Sequence, residues 1–380
     1  MKKSPLAVLT SAALALPAFA AIQPSETSIS IKASQYKEED IAASDVLIGA
    51  NERYDIDVYQ FQLTTPIGAD WSLDVNLNRE LMSGASPWGT IRDFTTGEPT
   101  LIMSGATIED QRTEVSVTAS RYFTDSSASV TVSHSDEDDY EAKAIAVGGE
   151  WELMDGMATL AVGASYSSDD IRPTDALSFN RVTEEEKQSR SMSVSWTHIL
   201  NRTSLLQIGT GITERDGYLS DPYKLRDVRP DSRLEKTLSA KYRKYFEQPN
   251  AAMHLDYRYF HDDFGIRSHT LDFAWHQPFG DRFQLIPGVR YYSQEEADFY
   301  IPIDSFFISL DENQSSDFRL SSFGAWSFSI KGVVTLADWT LDLAYERYIS
   351  DGDYALDEPD IEHPALLEFE LVTFGVNYRF

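Results

Sequence analysis

The sequence predicts an all-β chain: a single transmembrane antiparallel β-barrel of about sixteen strands over residues 21–380, behind a cleaved signal peptide over residues 1–20. Three observations predict it. Apolar and polar residues alternate with a period of two in one segment after another. The connections between those segments switch regularly between tight turns and long acidic stretches. Past the N-terminus no apolar run reaches the roughly 18 residues that a spanning helix needs.

The N-terminus sets the export route. Met1-Lys2-Lys3 is a short basic region, residues 6–16 are apolar but too short to cross a bilayer, and Ala18-Phe19-Ala20 supplies small residues where a signal peptidase reads, so cleavage is expected after Ala20. The competing reading, a short N-terminal membrane anchor, lacks a charged stop-transfer flank. Composition excludes further classes. Twenty Phe, 19 Tyr and 7 Trp in 380 residues exclude disorder. A net charge of -29, with no segregated basic patch, argues against nucleic acid as a partner. The absence of cysteine removes disulfides, thiol nucleophiles, iron–sulfur clusters and a lipoprotein anchor, and no cofactor is expected.

The strands follow in order. Trp71, Leu73, Val75 and Leu77 alternate with Ser72, Asp74, Asn76 and Asn78, one face apolar and the other polar. The same period recurs at Val115/Val117/Ala119, Ala128/Val130/Val132, Leu160/Val162/Ala164/Tyr166, Met192/Val194/Trp196 and Leu206/Ile208. It continues at Leu238/Ala240/Tyr242, Met253/Leu255/Tyr257/Tyr259, Leu271/Phe273/Trp275, Leu285/Val289/Tyr291, Trp326/Phe328/Ile330, Trp339/Leu341/Leu343/Tyr345 and Val372/Phe374/Val376/Tyr378. Weaker strands are expected around residues 29–33, 59–63 and 142–151.

Every second connection is short and carries turn residues, as in Asp155-Gly156, Asn201-Arg202, Gln248-Pro249-Asn250 and Ala337-Asp338. The intervening ones, at 37–53, 80–111, 168–187, 214–232, 294–317 and 350–363, are longer and acidic. Tight turns at one end and long loops at the other are the layout of an outer-membrane barrel, whose closure leaves no backbone edge unpaired in lipid. A soluble sandwich has no reason to sort its loops this way. Trp71, Trp151, Trp275 and Trp339 near the turns, with Tyr257, Tyr259, Tyr291 and Tyr345 toward the loops, fit two interfacial girdles, although aromatic residues also favour strands for other reasons. The alternation runs to the last residue, and a terminal strand ending in Phe380 resembles the signal by which such barrels are recognised for assembly. No plug, second domain or strict repeat is expected.

Parity then assigns the interior. If Leu238, Tyr242, Leu255, Tyr257, Phe273, Val289 and Tyr291 face lipid, then Lys241, Arg243, Asp256, Arg258, Asp272 and Arg290 face inward on four successive strands. These charges must be solvated or paired. They form either a selectivity strip in a water-filled channel or a salt-bridged wall without a selective role.

Several motifs go beyond a generic barrel. Asp221-Pro222-Tyr223-Lys224, Arg229-Pro230-Asp231-Ser232-Arg233, the run from Tyr257-Arg258-Tyr259 through His261-Asp262-Asp263 to Gly265-Ile266, and Ser268-His269-Thr270 stand in one region. Arg290-Tyr291-Tyr292, Ala297-Asp298-Phe299-Tyr300 and Ser83-Gly84-Ala85-Ser86-Pro87 extend the set. The chain thereby resembles a proteobacterial "domain of unknown function" family of outer-membrane proteins. The resemblance implies localisation in the outer membrane of a Gram-negative bacterium and a barrel architecture, without an activity. Its members are often encoded near a flavin transferase and a thioredoxin-like protein, which implies a link to surface or periplasmic redox maturation.

The loop 221–233 and the loop 80–111 are candidates to fold inward and constrict a pore, or else are surface loops. Asp136-Glu137-Asp138-Asp139 and Asp351-Gly352-Asp353 lack the spacing of a calcium loop, and no metal is expected. His261-Asp262-Asp263 with His269 could supply a base, but no serine elbow or His-Glu-x-x-His pattern accompanies them, so no enzyme is expected. The expected function is porin-like transfer of small polar solutes. The alternative is a docking barrel that presents its loops to a partner or scaffolds redox maturation. Expected partners are outer-membrane lipid, lipopolysaccharide, the barrel-assembly machinery and a small polar solute.

Overall fold

The computed structural model describes residues 23–104, 108–305, 307–309 and 312–380, so the signal peptide and its cleavage site lie outside the described residues. The first eight barrel strands are β1 (Ser28–Glu38), β2 (Asp55–Ile67), β3 (Trp71–Gly84), β4 (Ile108–Tyr122), β5 (Ser126–Glu137), β6 (Tyr140–Leu153), β7 (Ala158–Ile171) and β8 (Glu185–Asn201). The other eight are β9 (Ser204–Gly217), β10 (Ser232–Phe246), β11 (Ala251–Asp262), β12 (Arg267–Phe279), β13 (Phe283–Gln294), β14 (Phe323–Leu336), β15 (Trp339–Asp351) and β16 (Glu368–Arg379). Each pairs antiparallel with its neighbours in sequence, and β16 pairs with β1 from Ser28↔Arg379 to Glu38↔Phe369, closing the barrel.

The alternation works as the strand period requires. Directly paired residues share a face of the sheet, so one row can be followed around the wall. Lys241, Asp256, Asp272, Arg290, Ser327, Tyr348, Phe369 and Glu38 pair in succession from β10 to β1. Glu38 at the end of this row is buried against Arg53 of the β1–β2 loop, which marks the row as inward. The opposite face carries Leu238, Leu271, Phe328, Leu343 and Phe374, all exposed. For a chain in water such a face would be costly; against hydrocarbon it is the stable arrangement.

Seven of the turns are tight and lie at the same end as the β1–β16 termini. Residues there adopt positive φ where reversal demands it, including Asn250 (61°) and Gly280 (63°), and a Cβ at Gly280 would meet nothing within 4 Å, so backbone conformation alone favours glycine there. At the other end the strands run further than the apolar pattern suggests. Residues 168–171 and 185–187, which read as loop, pair within β7 and β8, and residues 214–217 pair within β9. Cross-strand ion pairs replace apolar alternation there: Lys187 Nζ lies 3.1 Å from Asp169 Oδ2, and Arg215 Nε lies 2.9 Å from Glu235 Oε1. A strand held by charge pairs outside the apolar band has no hydrophobic period to read.

The loops are folded, not loose. Val46–Ile48, Pro87–Arg92 and Pro99–Met103 form a small three-stranded sheet, and Asp227–Val228 pairs with Gln314–Ser315. Two apolar clusters stabilise them. Ile41, Ala85, Leu101, Met103 and Ala365 pack together, with Leu101 and Ala365 fully buried. Phe264, Ile266, Ala297 and Leu320 form the second. No plug domain was expected from the sequence; the loops themselves build a cap over the barrel mouth.

Candidate functional site

Two places bring the predicted site residues together: the cap and the wall beneath it. In the cap, the loop between β9 and β10 meets the hairpin between β3 and β4, six strands away in the ring of sixteen, so the contact spans the mouth. Leu225 N donates to Trp88 O at 2.6 Å, and Lys224 Nζ donates to Pro87 O at 3.0 Å. The loop between β13 and β14 joins them through Asp304, whose Oδ2 accepts from Thr90 N at 3.2 Å. It also reaches Arg53 near β1, whose guanidinium lies over Phe318 at 5.5 Å. Both loops expected to approach the pore are therefore part of this cap.

At its centre is a knot of alternating charges. Asp317, whose side chain is fully buried, accepts from Arg229 Nη2 at 2.8 Å and from Arg319 Nε at 2.9 Å, with Lys224 Nζ 3.9 Å away. Arg319 Nη2 also donates to Asp221 at 2.9 Å, and Arg229 Nε to Asp227 at 2.9 Å. Burial opposes ionisation of Asp317, but Arg319, Lys224 and Arg229 hold its carboxyl well below the usual range. Burial likewise pushes the Lys224 ammonium down, against the pull of Asp317. The three acids and three bases balance, which is how buried charge is tolerated.

Asp221, Tyr223, Lys224 and Arg229 of the family-like motif are thus structural residues of the cap. Tyr223 donates its hydroxyl to Asp139 at the β5–β6 hairpin, and burial followed by the Asp139 charge raises its pKa. Asp231 contributes a backbone oxygen to Gly217 N. Sequence reasoning missed Asp227, Asp317 and Arg319. The available signal, an Asp-x-Arg triplet at 227–229 and again at 317–319, does not single them out, since the same spacing also stands at 110–112, 170–172, 231–233 and 256–258.

The His-Asp grouping is taken apart by strand parity. His261 and His269 are on the outward face, with His269 Nδ1 2.8 Å from the Tyr257 hydroxyl. Asp262 is inward, accepting from Arg233 Nε at 2.7 Å and from the backbone of Phe264 and Ile266. Asp263 accepts from Leu234 N at 2.9 Å. These contacts make a polar turn.

His363 is buried beneath the cap. Ala365 N donates to its Nδ1 at 3.0 Å, so Nε2 carries the proton, 2.9 Å from Ser316 O and 3.1 Å from Thr90 Oγ1. Burial, then the nearby Lys224, push its pKa down to about 3. Burial pushes Asp304 up to about 6. Among acidic groups, Asp110, Glu137 and Asp139 are buried and bring one carboxylate oxygen each within 4.8 Å of the others, with Arg112 Nε 3.6 Å from Glu137 as a counter-charge. Asp351 accepts from Asp353 N at 2.8 Å, a turn contact.

Below the cap the wall has two characters. On one side Ser120, Ser129, Gly148, Gly163, Ser193, Gly211 and Thr237 pair in succession across β4 to β10, an inward band of small, mostly polar residues. On the other, a cavity of about 190 Å³ is lined by Arg243, Asp256, Asp272, Arg290, Ser327 and Glu346, among others. Arg243 makes a bidentate contact with Asp256, its Nη2 2.9 Å from Oδ2. Arg290 Nε lies 2.5 Å from Asp272 Oδ1.

A family model described as "Protein of unknown function (DUF3570)" matches residues 6–359. No curated protein matches the chain in sequence. Among solved structures the chain is similar to a bacterial polysaccharide outer membrane secretin, at 9% identity and a TM-score of 0.51 over 95% of this chain and 100% of that one. It is similar to CdiB from Acinetobacter baumannii, at 7% identity and a TM-score of 0.51 over 94% of this chain and 60% of that one. It also matches the siderophore receptor PirA from Pseudomonas aeruginosa, at 11% identity and a TM-score of 0.47 over 93% of this chain, and spans 62% of the receptor's length. The fold is that of an outer-membrane β-barrel.

Proposed function

The chain belongs to the DUF3570 family of proteins of unknown function, and from that premise we propose that its barrel lies in the outer membrane of a Gram-negative bacterium as a porin-like channel for small polar solutes, with the cap as its gate. The observation that carries this reading is the seven-strand band of inward Ser, Gly and Thr. Side chains this short leave the lumen unfilled, and their hydroxyls suit water. We assign the barrel no catalytic step.

Planar-bilayer recording tests the proposal. The parent protein should conduct weakly, and Asp317→Asn, which strips the knot of its central charge, should conduct more. Absence of conductance from both would overturn the channel. A second reading, a barrel that docks a partner on its loops, is favoured by Phe94, Leu177 and Leu356, which stand 95%, 90% and 69% exposed on the connections. It predicts no conductance from either protein.

A further inference from the structure

The register divides the six charged residues of the wall into two kinds. Arg243 with Asp256 and Arg290 with Asp272 are ion pairs, and each cancels its own charge. Lys241 and Arg258 are different: among the described residues neither forms an ion pair. Arg258 occupies a neutral level of the wall. Its paired neighbours are Ser239 on β10 and Thr270 on β12, and the same row continues to Tyr292 on β13 and Ala325 on β14. The side chain is exposed and shares the inward face of Asp256, two residues away. A chain of net charge -29 thus carries two cations outside any ion pair on one side of its lumen, Lys241 across from the already paired Asp256 and Arg258 with no acid at its level.

A confined guanidinium of this kind attracts anions and repels cations, and its planar fork matches carboxylate and phosphate oxygens better than a point charge does. We propose that Arg258, assisted by Lys241, is the residue by which the lumen selects solutes bearing a carboxylate or phosphate group, whereas Arg243 and Arg290 hold the wall together. The proposal rests on the channel reading above and names its substrate class.

The natural chain has no cysteine, so Ser239→Cys creates a single thiol beside Arg258. The probes are two methanethiosulfonates of similar size, one carrying a sulfonate and one a trimethylammonium group. A unit charge roughly 6 Å from the thiol in water changes each labelling rate by about threefold in opposite senses, so Arg258→Ala should lower the anionic-to-cationic rate ratio by about tenfold. Arg258→Lys should keep most of that ratio. In bilayers under a KCl gradient, Arg258→Ala should lower chloride-to-potassium permeability, and its thermal unfolding should match the parent, whereas Arg243→Ala should unfold earlier. An unchanged labelling ratio in Arg258→Ala, with the thiol reactive, overturns the selectivity role and leaves the channel standing. A thiol that neither reagent reaches shows a closed or dry wall and overturns the channel reading itself.

Discussion

Asp304 and His363 hold the same strand of the cap from two sides, through the amide and the hydroxyl of Thr90, and their pKa values move in opposite directions. Asp304 is raised to about 6 from an unfolded value near 3.8. Its contribution is thus fully present below pH 3.8 and lost as pH rises through 6, which means that acidification from neutrality stabilises the folded cap. His363 is lowered to about 3 from about 6.5. The folded state resists its protonation, so its contribution is present above pH 6.5 and is lost as pH falls toward 3. Between pH 7.5 and 5 these shifts correspond to a gain of about 1.4 kcal/mol from Asp304 and a loss of about 2 kcal/mol from His363. The parent should lose only about 0.6 kcal/mol from the pair, since the two nearly cancel. Each substitution uncovers the other group. Relative to the parent, Asp304→Asn should become more acid-labile by about 1.4 kcal/mol over this range, and His363→Gln should become less acid-labile by about 2 kcal/mol. Amide hydrogen exchange of the hairpin formed by Pro87–Arg92 and Pro99–Met103, followed in detergent at both pH values, reads the difference directly. If both variants track the parent with pH, the two groups are not titrating in the cap as described.

Asp317→Asn should leave the half-buried Lys224, Arg229 and Arg319 around a neutral amide, with Asp221 and Asp227 still pairing Arg319 and Arg229, and destabilise the cap by about 1–3 kcal/mol, read as faster exchange in residues 218–231 and 312–322; unaltered exchange there would show the knot to be dispensable. A short epitope at Asp175 or Asp353 should be accessible on intact cells and one at Asn250 should not, because the first two lie on the loop end and the third on the turn end. Labelling at Asn250 on unpermeabilised cells would reverse the orientation. Deleting Phe380, 64% exposed and packed edge-on against Tyr378 at 4.7 Å, should reduce the amount of heat-modifiable barrel in the membrane fraction, and equal amounts would count against a role for this residue in assembly.

How much of this was legible in the sequence depended on whether burial left a period. The barrel strands are readable because lipid on one face and water on the other impose alternation at Trp71 to Leu77 as at Val372 to Tyr378. The wall charges were placed by the same parity, without contacts. What parity cannot give is partnership: nothing in the spacing distinguishes Arg243, which meets Asp256, from Arg258, which has no acid beside it at its level. The cap was legible only as long acidic loops. Its folding depends on meetings between segments far apart, such as Lys224 with Pro87 and Arg229 with Asp317, and such meetings leave no local pattern. His363 illustrates the limit from the other side: in the sequence it is one of seven histidines available as a base, and only the Ala365 amide on its Nδ1 shows that it is a neutral strut.

The seam between β1 and β16 has a consequence for how the protein is made. Ser34 and Thr373 share a hydrogen bond at 2.9 Å although 339 positions separate them, while every other neighbouring pair in the ring is consecutive. Until that seam forms, the chain presents two unpaired edges, one at each end of a nearly finished sheet, and both are open to addition of foreign strands. The entropy of closing so long a segment is modest, since it grows only logarithmically with length. The time spent waiting for it is the hazard, because contacts of such separation are slow to find. Hairpins can accumulate in any order, but the edges disappear in one event. An export pathway that handles this chain must therefore shield both edges at once and release them together.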